Sequence, residues 1–220
     1  MTDPSSLSVT ETIRNRRATR RFDPNRGLPE ATLVEILGLA TLAPSGFNLQ
    51  PWRFLIVRSA RNRRRLRACA FNQPKLTDAP VVVILLGYLR AFETDLDAML
   101  DRRMALGAST PEAVAEIRAR AIDVSSRIDD RSAWAARSAM LAAATLMIGA
   151  EALGVASAPM EGFDPRRVRD EFGVPDDHTI CALIALGYAL EPDPFPGRFG
   201  LEHLCYEEHF GQPWTLGEPG

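Results

Sequence analysis

The densest run of chemistry-bearing side chains in this 220-residue chain is Ala43-Pro44-Ser45-Gly46-Phe47-Asn48-Leu49-Gln50-Pro51-Trp52. Pro44 and Pro51 fix φ and remove donors, and Gly46 permits a positive φ or a close backbone approach. Ser45, Asn48 and Gln50 add a hydroxyl and two amides. Such a segment is built to hold polar groups against something flat or polar. Ten residues is long for a connector between a helix-patterned run (29–42) and a strand-patterned one (53–57), and functional loops dominate that tail of the length distribution.

Arginines form the second concentration. Arg16, Arg17 and Arg20 fall within five positions, with Arg198 remote in sequence. Guanidinium forks match phosphate oxygens bidentately, although a solvated basic helix face uses the same residues. No G-x-G-x-x-G follows a strand pattern and no G-x-x-x-x-G-K-[ST] occurs, so any phosphate falls to side chains. No G-x-S-x-G marks a nucleophile elbow. His203, Cys205 and the Glu207-Glu208-His209 run match no zinc spacing. The 26 basic residues comprise 25 arginines and one lysine, Lys75.

Five blocks, in order, resemble the nitroreductase family of flavin mononucleotide (FMN) oxidoreductases. They are Arg16-Arg17-Ala18-Thr19-Arg20-Arg21-Phe22-Asp23, the 43–52 loop, Ala70-Phe71-Asn72-Gln73-Pro74-Lys75, Ala158-Pro159-Met160-Glu161-Gly162-Phe163-Asp164 and Gly197-Arg198-Phe199. The resemblance covers about 11–214, and five ordered blocks are far more specific than one. The resemblance implies an α+β fold with a central, mainly antiparallel sheet wrapped by helices, in a domain-swapped homodimer. It implies one domain over 1–220, with a core of about 11–190 and a tail, 191–220, wrapping the partner subunit.

The resemblance also implies FMN as cofactor and NADH or NADPH as electron donor. The reaction implied is two-electron, ping-pong reduction of nitroaromatics, quinones or related small-molecule oxidants. Reductive dehalogenation, flavin fragmentation and non-catalytic flavin binding are the alternatives on the same scaffold. Arg16, Arg17, Arg20 and Arg198 are the implied phosphate ligands. Ala18 stands where the family has a serine, leaving backbone N–H groups or Thr19 to replace its hydroxyl. Pro44, Ser45, Gly46, Asn48 and Gln50 are implied to hold the flavin, with Asn72 on its pyrimidine edge. Lys75 and Arg20 are the candidates to face N1–C2=O, where reduced flavin carries negative charge; an ammonium suits a single carbonyl oxygen better than a fork does. Pro159, Met160, Glu161 and Gly162 are implied to lie along the isoalloxazine, with a main-chain N–H near Glu161-Gly162 at N5. Hydride passes through N5, so no side chain is assigned as catalytic.

These groups need elements to position them. Ser8 and Glu11 make a capping box for a helix from about Val9 to Arg17, and Pro29 opens a second helix. Trp52–Val57 reads as a strand, and the Arg61–Arg67 run as a solvated helix face. The continuous apolar run 79–86 reads as a strand buried on both faces. Two polar helices are expected between Tyr88 and Asp130, the second starting at Thr110-Pro111. An apolar helix, 133–153, ends at Gly154 and must be buried in the core or by another subunit. Strands at 155–158 and 179–186 flank a helix begun by Asp164-Pro165 and ended by Gly173. Trp134, Met140 and Cys181 read as core residues.

The net charge of −2 gives no reason to expect nucleic acid or an acidic membrane surface. The longest apolar run, 139–150, is shorter than the roughly 20 residues of a membrane span, and the N-terminus carries neither a basic nor an apolar leader segment. The expectation is a cytoplasmic protein. Three well-separated cysteines indicate no disulfide framework.

Overall fold

The structure, a computed structural model, describes residues 8–214; the readings of 1–7 and 215–220 lie outside that range. The Ser8–Glu11 box forms as expected, with Glu11 N donating to Ser8 Oγ (3.2 Å) and Ser8 N to Glu11 Oε2 (2.9 Å). Helix α1 (Val9–Asn15) stops two residues short of Arg17. The reason is strand pairing, since Ala18 makes a parallel bridge to Ser157 and the chain must already be extended there. Helix α2 (Glu30–Ala40) takes Pro29 as its N-cap.

Strand β1 (Trp52–Val57) leads to α3 (Ala60–Cys69), the short α4 (Lys75–Asp78) and β2 (Val81–Tyr88). The span to Asp130 holds three helices, not two: α5 (Ala91–Thr94), α6 (Leu96–Ala105) and α7 (Pro111–Ser126). The extra turn, α5, exists to bury Phe92, whose ring packs 4.9 Å from Trp134 and 5.9 Å from Phe47. Helix α8 (Arg131–Ala152), β3 (Ala156–Met160), α9 (Pro165–Phe172), β4 (His178–Gly187) and α10 (Leu201–Leu204) complete the order.

The sheet runs β1-β2-β4-β3, and every neighbouring pair is antiparallel. Period-two alternation divides it into two faces. Phe54, Val83, Leu85, Ile184 and Leu186 face α2 and α8, whereas Val57, Val82, Ile84, Leu183 and Ala185 face α3 and α9. Seven of the eight β2 residues are buried, as the unbroken apolar run requires. Gly149 lets α2 approach α8, because a Cβ there would stand 2.9 Å from Leu39 Cδ1. A third apolar cluster ties α5, α6 and α7 to Leu49 and Phe47 of the 43–52 loop.

By length and composition α8 passes for a membrane span, longer than the 139–150 run suggested. Its buried stripe of Ala139, Ala142, Ala143 and Leu146 packs on the sheet and makes it the core helix. Its outward face is less covered, with Leu141 exposed and Met140 and Ile148 half-buried. Trp134 and Cys181 are also only half-buried; partial burial still pushes the Cys181 thiol up to about 11. In the single chain the tail leaves Phe195, Phe199, Leu204, Phe210 and Trp214 exposed.

The basic helix differs from its expected role. Arg63 donates to the carbonyls of Thr77 and Ala79 (2.5 Å to the latter), and Arg67 Nε donates to Asn72 O at 3.0 Å. Arg65 pairs with Glu171 on α9. Alternate arginines of α3 therefore staple the following segment (Arg63 and Arg67) and α9 (Arg65) in place instead of only facing solvent.

Candidate functional site

The first assembly starts from the extended segment after α1. Thr19 N donates to Ser157 O (3.0 Å), Asp23 N to Tyr188 O (2.8 Å) and Leu190 N to Arg21 O (3.0 Å). These bonds lay the start of the tail along 18–23. Arg20 then meets Asp193, with Nε to Oδ1 at 2.7 Å and its own N–H to Oδ2 at 3.1 Å. The guanidinium carbons of Arg17 and Arg198 sit 4.7 and 5.5 Å from the Phe195 ring centroid, close enough for cation–π attraction.

The result is a cavity of about 190 Å³ lined by Arg16, Arg17, Ala18, Arg20 and Arg198, with Asp193 as its only carboxylate. Arg16 Nη1 is buried without a hydrogen-bond partner among the described residues. A buried charged donor left unsatisfied is costly, and a phosphate oxygen is the acceptor that this set of forks fits. Thr19 lines an adjoining cavity of about 420 Å³ that shares Arg17 and Asp193 with the arginine one and extends to Glu151. Burial raises the Glu151 carboxyl there, opposed by Arg16 and Arg17. Arg20 already has a carboxylate partner in Asp193, which the sequence reading did not foresee.

The second assembly joins 69–75 to 158–164. Strand β3 ends at buried Met160, preceded by half-buried Pro159, and leaves Glu161 and Gly162 exposed. Asp164 N donates to Cys69 O (2.8 Å) and Gln73 Nε2 to Gly162 O (2.7 Å). The N–H groups of Glu161 and Gly162 donate to no group among the described residues, so two main-chain donors stand open at the strand end. Asn72 lies on the same turn, with Phe71 and Asn72 both at positive φ (50° and 58°). Lys75 heads α4 instead of sitting in a loop; it is half-buried and in none of the ion pairs among the described residues.

The third group, the 43–52 loop, stands apart. Gly46 keeps a negative φ, with open space where its Cβ would be, and the positive values fall on Phe47 (54°), Asn48 (57°) and Gln50 (49°). Left-handed backbone at non-glycine residues costs about 1–3 kcal/mol each and persists only where the surroundings enforce it. Here Ser45 Oγ accepts from Gln50 N (2.9 Å), Gln50 Nε2 donates to Asn48 O (3.2 Å), and Leu49 is buried in the third apolar cluster. Arg53 donates to Gln50 O and pairs with Asp95 at 2.8 Å, clamping the loop to the α5–α6 junction. Pro44, Gly46 and Asn48 remain exposed. None of these loop residues lines the arginine cavity.

Sequence reasoning missed two groups, Asp193 and Gln73. The available signal for the first was an acid framed by Pro192 and Pro194; Gln73 lay inside a quoted block without a role.

Comparison with known proteins bears on the family and the fold. The nitroreductase family model matches residues 13–188, which takes in four of the five blocks. An NADH dehydrogenase of Thermus thermophilus is 38% identical over 197 residues, covering 86% of this chain and 90% of that protein. The oxygen-insensitive NAD(P)H nitroreductase of Salmonella typhimurium is 27% identical over 198 residues, covering 83% and 89%. Among solved structures, the FMN complex of a nitroreductase-type protein from Exiguobacterium sibiricum superposes with a TM-score of 0.83 at 25% identity, covering 94% of this chain and all of that one. An antiparallel sheet wrapped by helices, carrying these ordered blocks, places the chain in the nitroreductase family.

Proposed function

We propose that the protein is an FMN-dependent oxidoreductase that takes two electrons from NADH or NADPH and passes them to a small electrophilic oxidant such as a nitroaromatic or a quinone. The observation that carries this reading is the arginine cavity with its buried, unpartnered Arg16 Nη1. FMN, when bound, supplies the hydride-accepting and hydride-donating atom. Arg16, Arg17 and Arg198 hold the phosphate. Asp193 neutralises Arg20 and fixes the tail against it, making Arg20 a positioning residue more than a net charge. The open N–H groups of Glu161 and Gly162 orient the ring edge, beside Pro159 and Met160. Lys75 offers an unshared positive charge that favours the reduced, negatively charged ring, and Asn72 offers its amide to the pyrimidine edge.

The 43–52 loop completes the site from a second copy of the chain. Within one chain Ser45, Asn48 and Gln50 share no cavity with the arginines, while the outer face of α8 and the aromatic tail lack cover. A homodimer with the tail wrapped on its partner resolves both facts. Donor and oxidant use the same ring face in turn, so the kinetics are ping-pong.

Anaerobic addition of NADH or NADPH to the purified protein should bleach the visible flavin band, and a nitroaromatic added afterwards should restore it. A flavin band that persists with both donors would overturn the enzymatic reading and leave flavin binding alone.

A further inference from the structure

Beside the 43–52 loop lies a cavity of about 270 Å³, walled by Phe47, Asn48, Met99, Leu100 and Ile117 and carrying two guanidinium groups, Arg103 and Arg120. No carboxylate lines it. Neither arginine is in any of the ion pairs among the described residues, whereas the neighbouring Arg118 is paired with Asp97 across α6 and α7. Arg103 bonds only to the Ser109 hydroxyl, which leaves its charge uncompensated. Both residues are exposed at the cavity, so two uncompensated positive charges stand open there to an anion. The cavity is also fixed in place. Phe47 packs edge-on against Phe92, and Met99 lies 3.6 Å from Gln50 Nε2.

We propose that this cavity selects reactants bearing an anionic group, with an apolar wall for the ring and Arg103 and Arg120 for the charge. The proposal rests on the functional reading above, in which the 43–52 loop borders the flavin: a reactant lying against Phe47 and Asn48 then has the cavity at its side. The anion is either a carboxylate on the oxidant or the 2′-phosphate of NADPH. Both are the same chemistry at the same arginines.

The test compares Arg103→Gln, Arg120→Gln and the parent, each as flavin-loaded protein. Two ratios of kcat/KM are read: 4-nitrobenzoate over 4-nitrobenzamide, and NADPH over NADH. Each substitution should lower one ratio or both about twofold to fivefold, the scale of one exposed charge pair, and added salt should shrink the parent's preference. A loss in the first ratio assigns the arginines to the oxidant and a loss in the second to the donor; either supports the proposal. Both ratios unchanged in both variants would overturn it. Calorimetric binding of 4-nitrobenzoate and 4-nitrobenzamide reads the same selectivity without turnover. If neither oxidant is reduced while the binding ratio still falls in the variants, the functional reading fails and the anion cavity stands.

Discussion

Three arginines within five positions meet three different fates. Arg17 gives one guanidinium nitrogen to the Arg14 and Arg16 carbonyls (2.6 and 3.0 Å) beside the Phe195 ring and keeps the others for the cavity, Arg20 pairs with Asp193, and Arg16 keeps a buried nitrogen unpartnered. Their residue types and spacing suggested phosphate ligands. Their division of labour was not legible, because the partner that neutralises Arg20 lies 173 residues away. Arg16→Ala and Arg198→Ala should each weaken FMN binding by about 1.5–3 kcal/mol, the range for a lost charge-assisted hydrogen bond. Riboflavin, which lacks the phosphate, should bind both variants and the parent almost equally. Arg20→Ala should cost less than Arg16→Ala, since it frees Asp193 as it removes a charge already compensated. Equal FMN affinity in parent and Arg16→Ala, measured by fluorescence titration, would remove the phosphate from this cavity.

At the scale of elements, local signals served where local physics decides. The capping box, the period-two strands and the Asp164-Pro165 start and Gly173 end of α9 all formed as their residue types require. What the sequence concealed depends on tertiary partners. The positive φ values of Phe47, Asn48 and Gln50 are enforced by a buried Leu49 and the Ser45 hydroxyl, and Gly46, the residue suited to them, does not need one. Arg63 and Arg67 read as solvent-facing because their acceptors are backbone carbonyls in and around α4, invisible in side-chain spacing. Arg63→Ala should therefore loosen the 77–79 segment and the α4 turn before it rather than the whole domain. About 1 kcal/mol is expected, allowing for partial exposure, or a fall of about 2–4 °C in the melting temperature for a chain of this size. Faster amide exchange confined to 71–79 would accompany it. Uniformly faster exchange would mean that Arg63 supports the core generally.

At the scale of the molecule, one chain carries every block yet does not close a site. The arginine cavity and the open donors of Glu161 and Gly162 lie on segments joined to β3, while Ser45, Asn48 and Gln50 are mounted on the α5–α7 lobe. The sequence order of the blocks showed that all are present; only the fold shows them divided. The account therefore requires two chains and a bound flavin in one species. Sedimentation of the purified protein, recorded in the ultraviolet and in the visible flavin band together, tests this most directly. The predicted result is a single boundary with both absorbances, at twice the chain mass of 24.2 kDa, releasing FMN on denaturation. A colourless protein that takes up no added FMN, or flavin travelling with single chains, would contradict it.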